Sequence, residues 1–169
     1  SVSTMSSVTK GTVGVIGLGI MGGAIARNLA AAGWRVVGYD LDAARREEAA
    51  SNGVEIANSA EGVAQAAPAI LTSLPKPAAL MATVEAIVAA KAERRTVAEL
   101  STFAIADKTA AEEILRRAGH VMLDCPLSGT GSQAKAKDLV VYASGDTQAI
   151  EALRPVFADF ARETHDLGA

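Results

Sequence analysis

The chain has 169 residues, half of them hydrophobic, and its 16 basic and 19 acidic residues give a formal net charge of -3. This length suits one compact α/β domain with a sizeable core and is short for two. With no basic block and only three Phe, two Tyr and one Trp, nucleic acid is not an expected partner, and the short apolar runs exclude a membrane span.

The first ten residues, SVSTMSSVTK, are rich in Ser and Thr and lack the apolar segment of a secretory signal. We therefore expect a disordered leader over residues 1–11, one domain over residues 12–169 and a cytoplasmic location. The single cysteine, Cys125, excludes an internal disulfide and a cluster of several cysteines around a metal. No metal site is expected.

Apolar, β-branched runs alternate along the chain with longer stretches rich in Ala, Glu and Arg that carry helical spacing. This alternation predicts an α/β fold with a mostly parallel sheet, doubly wound, with helices on both faces. The predicted strands are 12–16, 35–39, 54–56, 69–74, 96–100, 120–123, 139–143 and 163–165. The predicted helices are 20–32, 43–51, 59–66, 77–90, 104–118 and 147–157, of which three end at a glycine that suits a left-handed terminal residue.

Three glycines, Gly17, Gly19 and Gly22, directly follow the first predicted strand and open the first predicted helix. In this setting G-x-G-x-x-G indicates a Rossmann-type dinucleotide site. The first glycine allows the tight turn, the second lets a pyrophosphate approach the backbone, and the third lets helix and strand pack closely. The phosphates then lie on the free N–H groups at the positive end of the helix. The plainer interpretation is a glycine-rich turn that binds nothing.

Asp40 ends the second predicted strand. An acidic residue at this place hydrogen-bonds the adenosine ribose of a bound dinucleotide. A carboxylate there repels a 2′-phosphate, which favours NAD over NADP. Arg45 and Arg46 follow a turn later and are able to serve a phosphate, so NADP stays open as the cofactor.

The run GLGIMG at residues 17–22, followed by ARNL at 26–29, resembles the signature of the β-hydroxyacid dehydrogenases, the group of 3-hydroxyisobutyrate and 6-phosphogluconate dehydrogenases. Three further stretches match in order: Leu74-Pro75, Ser101-Thr102 and DCPLSG at 124–129. The resemblance covers residue 13 to the end of the chain. It implies an oxidoreductase that transfers hydride between NAD and a small 3-hydroxyacid.

The resemblance also implies roles for individual residues. Leu74 and Pro75 line the cofactor channel, and Thr102 lies near the nicotinamide ribose and carboxamide. Ser128 and Gly129 bind the substrate carboxylate, and Thr130, which replaces a glycine usual in the family, narrows the pocket or adds a hydroxyl. The candidate cofactor-binding residues are Gly17, Leu18, Gly19, Ile20, Met21, Gly22, Asp40, Leu41, Leu74, Pro75 and Thr102. The candidate substrate-binding residues are Ser128, Gly129 and Thr130.

These short matches have plainer interpretations. In these interpretations, Leu74-Pro75 only ends a strand and Ser101-Thr102 only caps the next helix. Residues 128–131 then form a turn without a binding role. The remaining polar candidates are expected to be structural or exposed rather than catalytic, and they are His120, Cys125, Lys135, Lys137 and His165.

Oxidation of an alcohol needs a group that takes the hydroxyl proton. The resemblance implies a lysine on a helix after a glycine-rich turn, and residues 165–169 resemble the approach to that turn. We therefore expect no catalytic residue in this chain, a helical catalytic domain beyond residue 169, and slow or no turnover without it. The resemblance also implies dimerisation mainly through that domain, and the oligomeric state stays open. An NADPH-dependent imine or semialdehyde reductase, a dinucleotide-sensing module and a catalytically silent domain stay open.

Overall fold

The computed structural model describes residues 10–169, and within that range the chain forms nine strands and seven helices. The strands are β1 (Thr12–Ile16), β2 (Arg35–Tyr39), β3 (Glu55–Ile56), β4 (Ala69–Thr72), β5 (Thr96–Glu99), β6 (Val121–Asp124), β7 (Leu127–Ser128), β8 (Leu139–Ala143) and β9 (Ala161–Asp166). The helices are α1 (Ile20–Ala31), α2 (Ala43–Ser51), α3 (Ala60–Ala66), α4 (Pro77–Ala89), α5 (Ile105–Arg117), α6 (Gly131–Lys135) and α7 (Thr147–Ala158). Every predicted bound lies within two residues of the observed one.

Six strands form a parallel sheet in the order β3-β2-β1-β4-β5-β6. Val13 of β1 pairs with Val36 on one side and with Ala69 on the other. The chain order reverses between β1 and β4, so the connections after these two strands leave in opposite directions and open a crevice at their carboxyl ends. The predicted doubly wound α/β fold is confirmed.

Helices cover both faces of this sheet. Successive side chains along each strand point to opposite faces, so they pack into two different apolar cores. Leu71, Ala98 and Leu123 belong to one apolar cluster, which α1 and α7 complete. Their neighbours Ile70 and Val97 belong to a second cluster with α3, α4 and α5. Burial on both faces explains why the strands are apolar almost throughout.

The last two predicted strands lie in a separate sheet of three strands, in the order β7-β8-β9. Strand β7 is antiparallel to β8, whereas β9 is parallel to it. Asp124 and Ser144 join the two sheets through a pair of backbone hydrogen bonds of 3.0 and 2.8 Å. The alternation of strands and helices along the chain favours a single sheet, and the structure adds a second, smaller sheet to it. The short elements β7 and α6 were not predicted, because two and five residues show no periodicity.

The first described residues are held against the body of the domain. The Lys10 N–H donates to the Gly33 carbonyl at 3.3 Å, and the Lys10 ammonium lies 2.9 Å from Asp159 Oδ2. The expected leader lies outside the described residues over positions 1–9. Every helix within residues 10–169 falls short of the length and apolar character that crossing a membrane requires.

Candidate functional site

Gly17 and Gly22 bring the start of α1 against the end of β1. Gly17 has φ +94°, a conformation that a residue with a side chain adopts only with strain, and a Cβ there would overlap the Ser73 carbonyl oxygen. A Cβ at Gly22 would overlap the Gly17 carbonyl oxygen. The tight turn and the close packing that the motif predicts are therefore both present.

The N-terminus of α1 is open. Gly19 is its N-cap residue, and among residues 10–169 no side chain caps this end. The first bond of the helix runs from the Gly23 N–H to the Gly19 carbonyl at 2.7 Å, which leaves the N–H groups of Ile20, Met21 and Gly22 ahead of the helical ladder. Four other helix starts are closed by side chains, namely those of α2, α3, α6 and α7 by Asp42, Ser59, Thr130 and Asp146, whereas no side chain of the described residues caps α4 or α5. An open positive helix end suits an anion.

Asp40 lies beside this loop with its carboxylate fixed by two backbone donors. Its Oδ2 accepts the Leu18 N–H and its Oδ1 accepts the Asp42 N–H, both at 2.8 Å. Each oxygen keeps a lone pair able to accept a further donor, such as a hydroxyl. The Leu18 side chain is buried, so its contribution at this place is the N–H that orients Asp40.

A cleft of about 740 Å³ opens between the glycine loop, the end of β2 and the first half of α4. Eight of the eleven predicted cofactor residues line it, namely Gly17, Gly19, Ile20, Met21, Asp40, Leu41, Leu74 and Pro75. The other three predicted residues do not line the cleft. Leu18 and Gly22 are buried, and Thr102 is exposed on the loop between β5 and α5. Ala79, Ala82 and Thr83 of α4 form a wall that we did not predict. Their spacing places small residues on one helix face, a signal that the sequence does contain.

Two of the predicted motifs are joined by a hydrogen bond. The Ser101 hydroxyl accepts the Leu74 N–H at 2.8 Å, and the Ser101 side chain is buried. Helix α5 starts after Ala104, which is its N-cap residue. Ser101 and Thr102 therefore do not cap that helix, and the capping alternative is not supported.

The predicted substrate residues lie at the end of β7 and the start of α6. Ser128 pairs with Val140 of β8, and Gly129 follows with φ +141°. Thr130 and Gln133 form a capping box, in which the Thr130 N–H donates to Gln133 Oε1 at 2.8 Å and the Gln133 N–H donates to Thr130 Oγ1 at 3.3 Å. The Thr130 hydroxyl thus caps the N-terminus of α6. The T-x-x-Q spacing is readable in the sequence.

Helix α6 packs these residues beside the start of α1. A Cβ at Gly131 would lie too close to the Ile20 side chain, and the Asn28 side-chain amide donates to the Ala134 carbonyl at 2.9 Å. The structure therefore brings the Ser128 segment next to the glycine loop, with the exposed Ile20 between them.

Arg45 and Arg46, the two arginines that leave NADP possible as the cofactor, differ in their surroundings. Arg46 Nη1 donates to the carbonyls of Asp40 and Leu41 at 2.8 and 2.9 Å, which commits its guanidinium to the end of β2. Arg45 reaches over the loop, so that a Cβ at Gly19 would overlap its guanidinium. Of the two, Arg45 is the one placed to meet a phosphate.

A buried polar network at the ends of β4, β5 and β6 was not singled out from the sequence. Glu99 is fully buried and accepts the Thr72 hydroxyl and the Ser101 N–H, the latter at 2.6 Å. The Lys108 ammonium, on a side chain 8% exposed, lies 2.5 Å from Asp124 Oδ1 and 3.6 Å from Glu99 Oε1. Only the fold brings these residues together, so spacing along the chain carries no signal for them.

The remaining polar candidates have structural or exposed positions. Burial raises the pKa of the Cys125 thiol to about 12, with Asp124 acting in the same direction, so the thiol stays protonated near neutral pH. His120 Nδ1 accepts the Arg95 N–H at 2.9 Å, and burial together with Arg95 lowers the pKa of His120. The exposed candidates are Lys135, Lys137 and His165.

Comparison with known proteins agrees with this geometry. Residues 12–168 match the model of a family described as the NAD binding domain of 6-phosphogluconate dehydrogenase. The NAD-dependent L-serine dehydrogenase of Pseudomonas aeruginosa is 31% identical over 159 residues, covering 92% of this chain and 53% of that protein. A Mycobacterium tuberculosis 3-hydroxyisobutyrate dehydrogenase structure with L-serine has a TM-score of 0.90 at 28% identity, covering 94% of this chain and 54% of that one.

An imine reductase from Streptomyces aurantiacus shares the fold, with a TM-score of 0.86 at 24% identity over 93% of this chain and 55% of its own. The chain thus spans about half the length of each of these relatives.

The close approach at Gly17 makes a measurable prediction. Gly17→Ala is expected to lower the free energy of unfolding by about 3 kcal/mol or more, because a left-handed residue and an overlap with the Ser73 carbonyl act together. Gly33→Ala is the matched control, since Gly33 has φ +102° and no described atom lies within 4 Å of its Cβ position. It should cost only about 1 kcal/mol. Equal losses in chemical denaturation would contradict the close approach.

Proposed function

The chain belongs to the family of NAD binding domains of 6-phosphogluconate dehydrogenase, and on that premise we propose that it is the cofactor-binding domain of an enzyme that oxidises or reduces a small 3-hydroxyacid. The resemblance read from the sequence is confirmed at the level of the family. NAD is the cofactor of this family of domains and of the L-serine dehydrogenase relative.

One observation carries the proposal: the open start of α1 and the fixed carboxylate of Asp40 face the same cleft. The residues fit a dinucleotide, because no described side chain caps the start of α1 and the Asp40 carboxylate, fixed by two backbone N–H groups, keeps lone pairs for further donors. The N–H groups of Ile20, Met21 and Gly22 hold the pyrophosphate, and Asp40 accepts the adenosine ribose hydroxyls. Leu41, Leu74 and Pro75 line the cofactor channel. When bound, the nicotinamide supplies or accepts the hydride.

The substrate lies on the other side of the crevice. Thr102 contacts the nicotinamide ribose and carboxamide, and Ser128 with Gly129 binds the substrate carboxylate through a hydroxyl and an N–H. The position of Ser128 beside the start of α1 supports this assignment. Two relatives are named for small hydroxy carboxylates, L-serine and 3-hydroxyisobutyrate, which supports the class of substrate. Thr130 acts indirectly by capping α6 and setting the path of the loop.

The proton acceptor belongs to a helical domain that follows residue 169, where the resemblance implies a lysine. The share of each relative that this chain covers, about half, supports this division. The cofactor-binding domain alone then turns over slowly or not at all. A homodimer forms mainly through the helical domain.

The second candidate is a domain of an NADPH-dependent imine or semialdehyde reductase. It is favoured by Arg45, whose guanidinium lies over Gly19 and is able to meet a 2′-phosphate. Asp40 opposes it, because a carboxylate at the ribose repels that phosphate. The affinities for the two cofactors therefore separate the candidates.

Calorimetric titration tests the role of Asp40. NAD is expected to bind at least about tenfold more tightly than NADP, and Asp40→Asn should weaken NAD about tenfold because the amide loses a charged acceptor. Asp146→Asn is the matched control, since Asn caps α7 as well as Asp does and lies outside the cleft residues. Tighter binding of NADP by the unaltered protein would favour the reductase candidate.

Ser128→Ala tests the substrate side in the protein that includes its helical domain. The variant should raise KM for L-serine or 3-hydroxyisobutyrate about tenfold, because a hydrogen bond to a carboxylate is lost, and it should leave NAD affinity unchanged. Ser132→Ala, at an exposed position on α6, is the control. An unchanged KM would contradict the assignment of Ser128. Carboxylate binding that Ser128→Ala does not affect would favour a dinucleotide-sensing module without turnover.

A further inference from the structure

Lys108 connects the carboxyl ends of two neighbouring strands. Its ammonium lies 2.5 Å from Asp124 Oδ1 at the end of β6, and 3.6 Å from Glu99 Oε1 and 3.4 Å from the Glu99 carbonyl at the end of β5. Glu99 stands three residues before Thr102, and Asp124 four residues before Ser128. The lysine therefore bridges the origins of the two loops that the proposed function assigns to nicotinamide and substrate.

The network extends to a third strand. The Thr72 hydroxyl, at the end of β4, donates to Glu99, and the Ser101 N–H donates to the other oxygen of the same carboxylate at 2.6 Å. The Ser101 hydroxyl in turn accepts the Leu74 N–H at 2.8 Å. Glu99 and Lys108 thus tie together the loops that follow β4, β5 and β6.

A lysine is a costly choice at this position. It lies in the first turn of α5, where the helix dipole disfavours a cation, and its side chain is nearly buried, which removes it from water. Two carboxylates offset these costs. An apolar side chain of similar volume would avoid them, and replacing buried ion pairs in this way is often neutral or stabilising. A contribution to the stability of the fold therefore does not explain why a lysine occupies position 108.

We infer that Lys108 is a positioning residue, which holds the Thr102 loop and the segment leading to Ser128 at a fixed separation. This inference rests on the proposed function. The adenosine end of the site does not depend on Lys108, because Asp40 follows β2, and β1 and β4 separate β2 from the ends of β5 and β6 that Lys108 bridges. Lys108 consequently affects the nicotinamide end and leaves the adenosine end unchanged.

The test compares the binding of NAD with that of ADP-ribose, which has the same adenosine, pyrophosphate and second ribose but no nicotinamide. Asp124→Asn removes one partner of Lys108 at a position that is 43% exposed, and keeps the shape of the side chain. The unaltered protein should prefer NAD, and the variant should lose about tenfold of that preference, a typical coupling between contacting groups. Its affinity for ADP-ribose should stay within about twofold of the unaltered value.

Glu113→Gln is the matched control. Glu113 lies on the same helix, is partly exposed, and pairs with Arg116 and Arg117 at 2.7 and 2.9 Å. This variant should leave both affinities unchanged. Lys108→Met should remove the preference for NAD altogether, and Lys108→Met combined with Asp124→Asn should lose no more, because the two residues act through one contact. If Lys108→Met does not fold, Asp124→Asn decides alone.

The outcomes separate the two proposals. If Asp124→Asn weakens NAD and ADP-ribose equally, or leaves the preference intact, Lys108 is structural and the inference is overturned. A protein that binds NAD and ADP-ribose equally well before any change also overturns it, because no nicotinamide contact then exists to be positioned. A protein that binds neither ligand overturns the proposed function, and with it the inference.

Discussion

The close approach of α1 to the ends of β1 and β4 is the constraint on which the site depends. Gly22 packs on the Gly17 carbonyl, and Gly17 packs on the Ser73 carbonyl, with no room for a Cβ at either contact. This approach directs the first N–H groups of α1 into the crevice of the sheet. It also places the Leu18 N–H where it orients Asp40. One packing arrangement therefore creates both the donors for an anion and the acceptor for a sugar.

The two sides of the crevice differ in how they are built. The side formed by β2 and α4 is a cleft with largely small and apolar walls, where two backbone N–H groups hold the Asp40 carboxylate. The side formed by β4, β5 and β6 rests on a buried network in which one lysine is shared by two carboxylates. An apolar wall tolerates modest shifts of a bound group, whereas a network of charged hydrogen bonds fixes the loops above it. This difference is suited to a cofactor whose reactive ring needs closer placement than its adenosine.

Local patterns predicted much of the fold and most of the residues that line the cleft beside the glycine loop. Strands β1, β2 and β8 have the predicted bounds because each is a long apolar run between clear breaks. The glycine spacing and Asp40 were informative because a turn and a strand end are local features. The separate sheet and α6 were missed, because long-range pairing and very short elements have no period. Lys108 was missed because a charge in an amphipathic helix usually faces solvent, and only tertiary packing buries this one.

Amide chemical shifts during a titration with NAD test the central claim most directly. The largest changes are expected on the N–H groups of Ile20, Met21 and Gly22, at the open end of α1. The amides at the start of α7, which Asp146 caps, should not move. Saturating NAD that leaves the α1 amides unshifted, or shifts only amides away from the glycine loop, would contradict it.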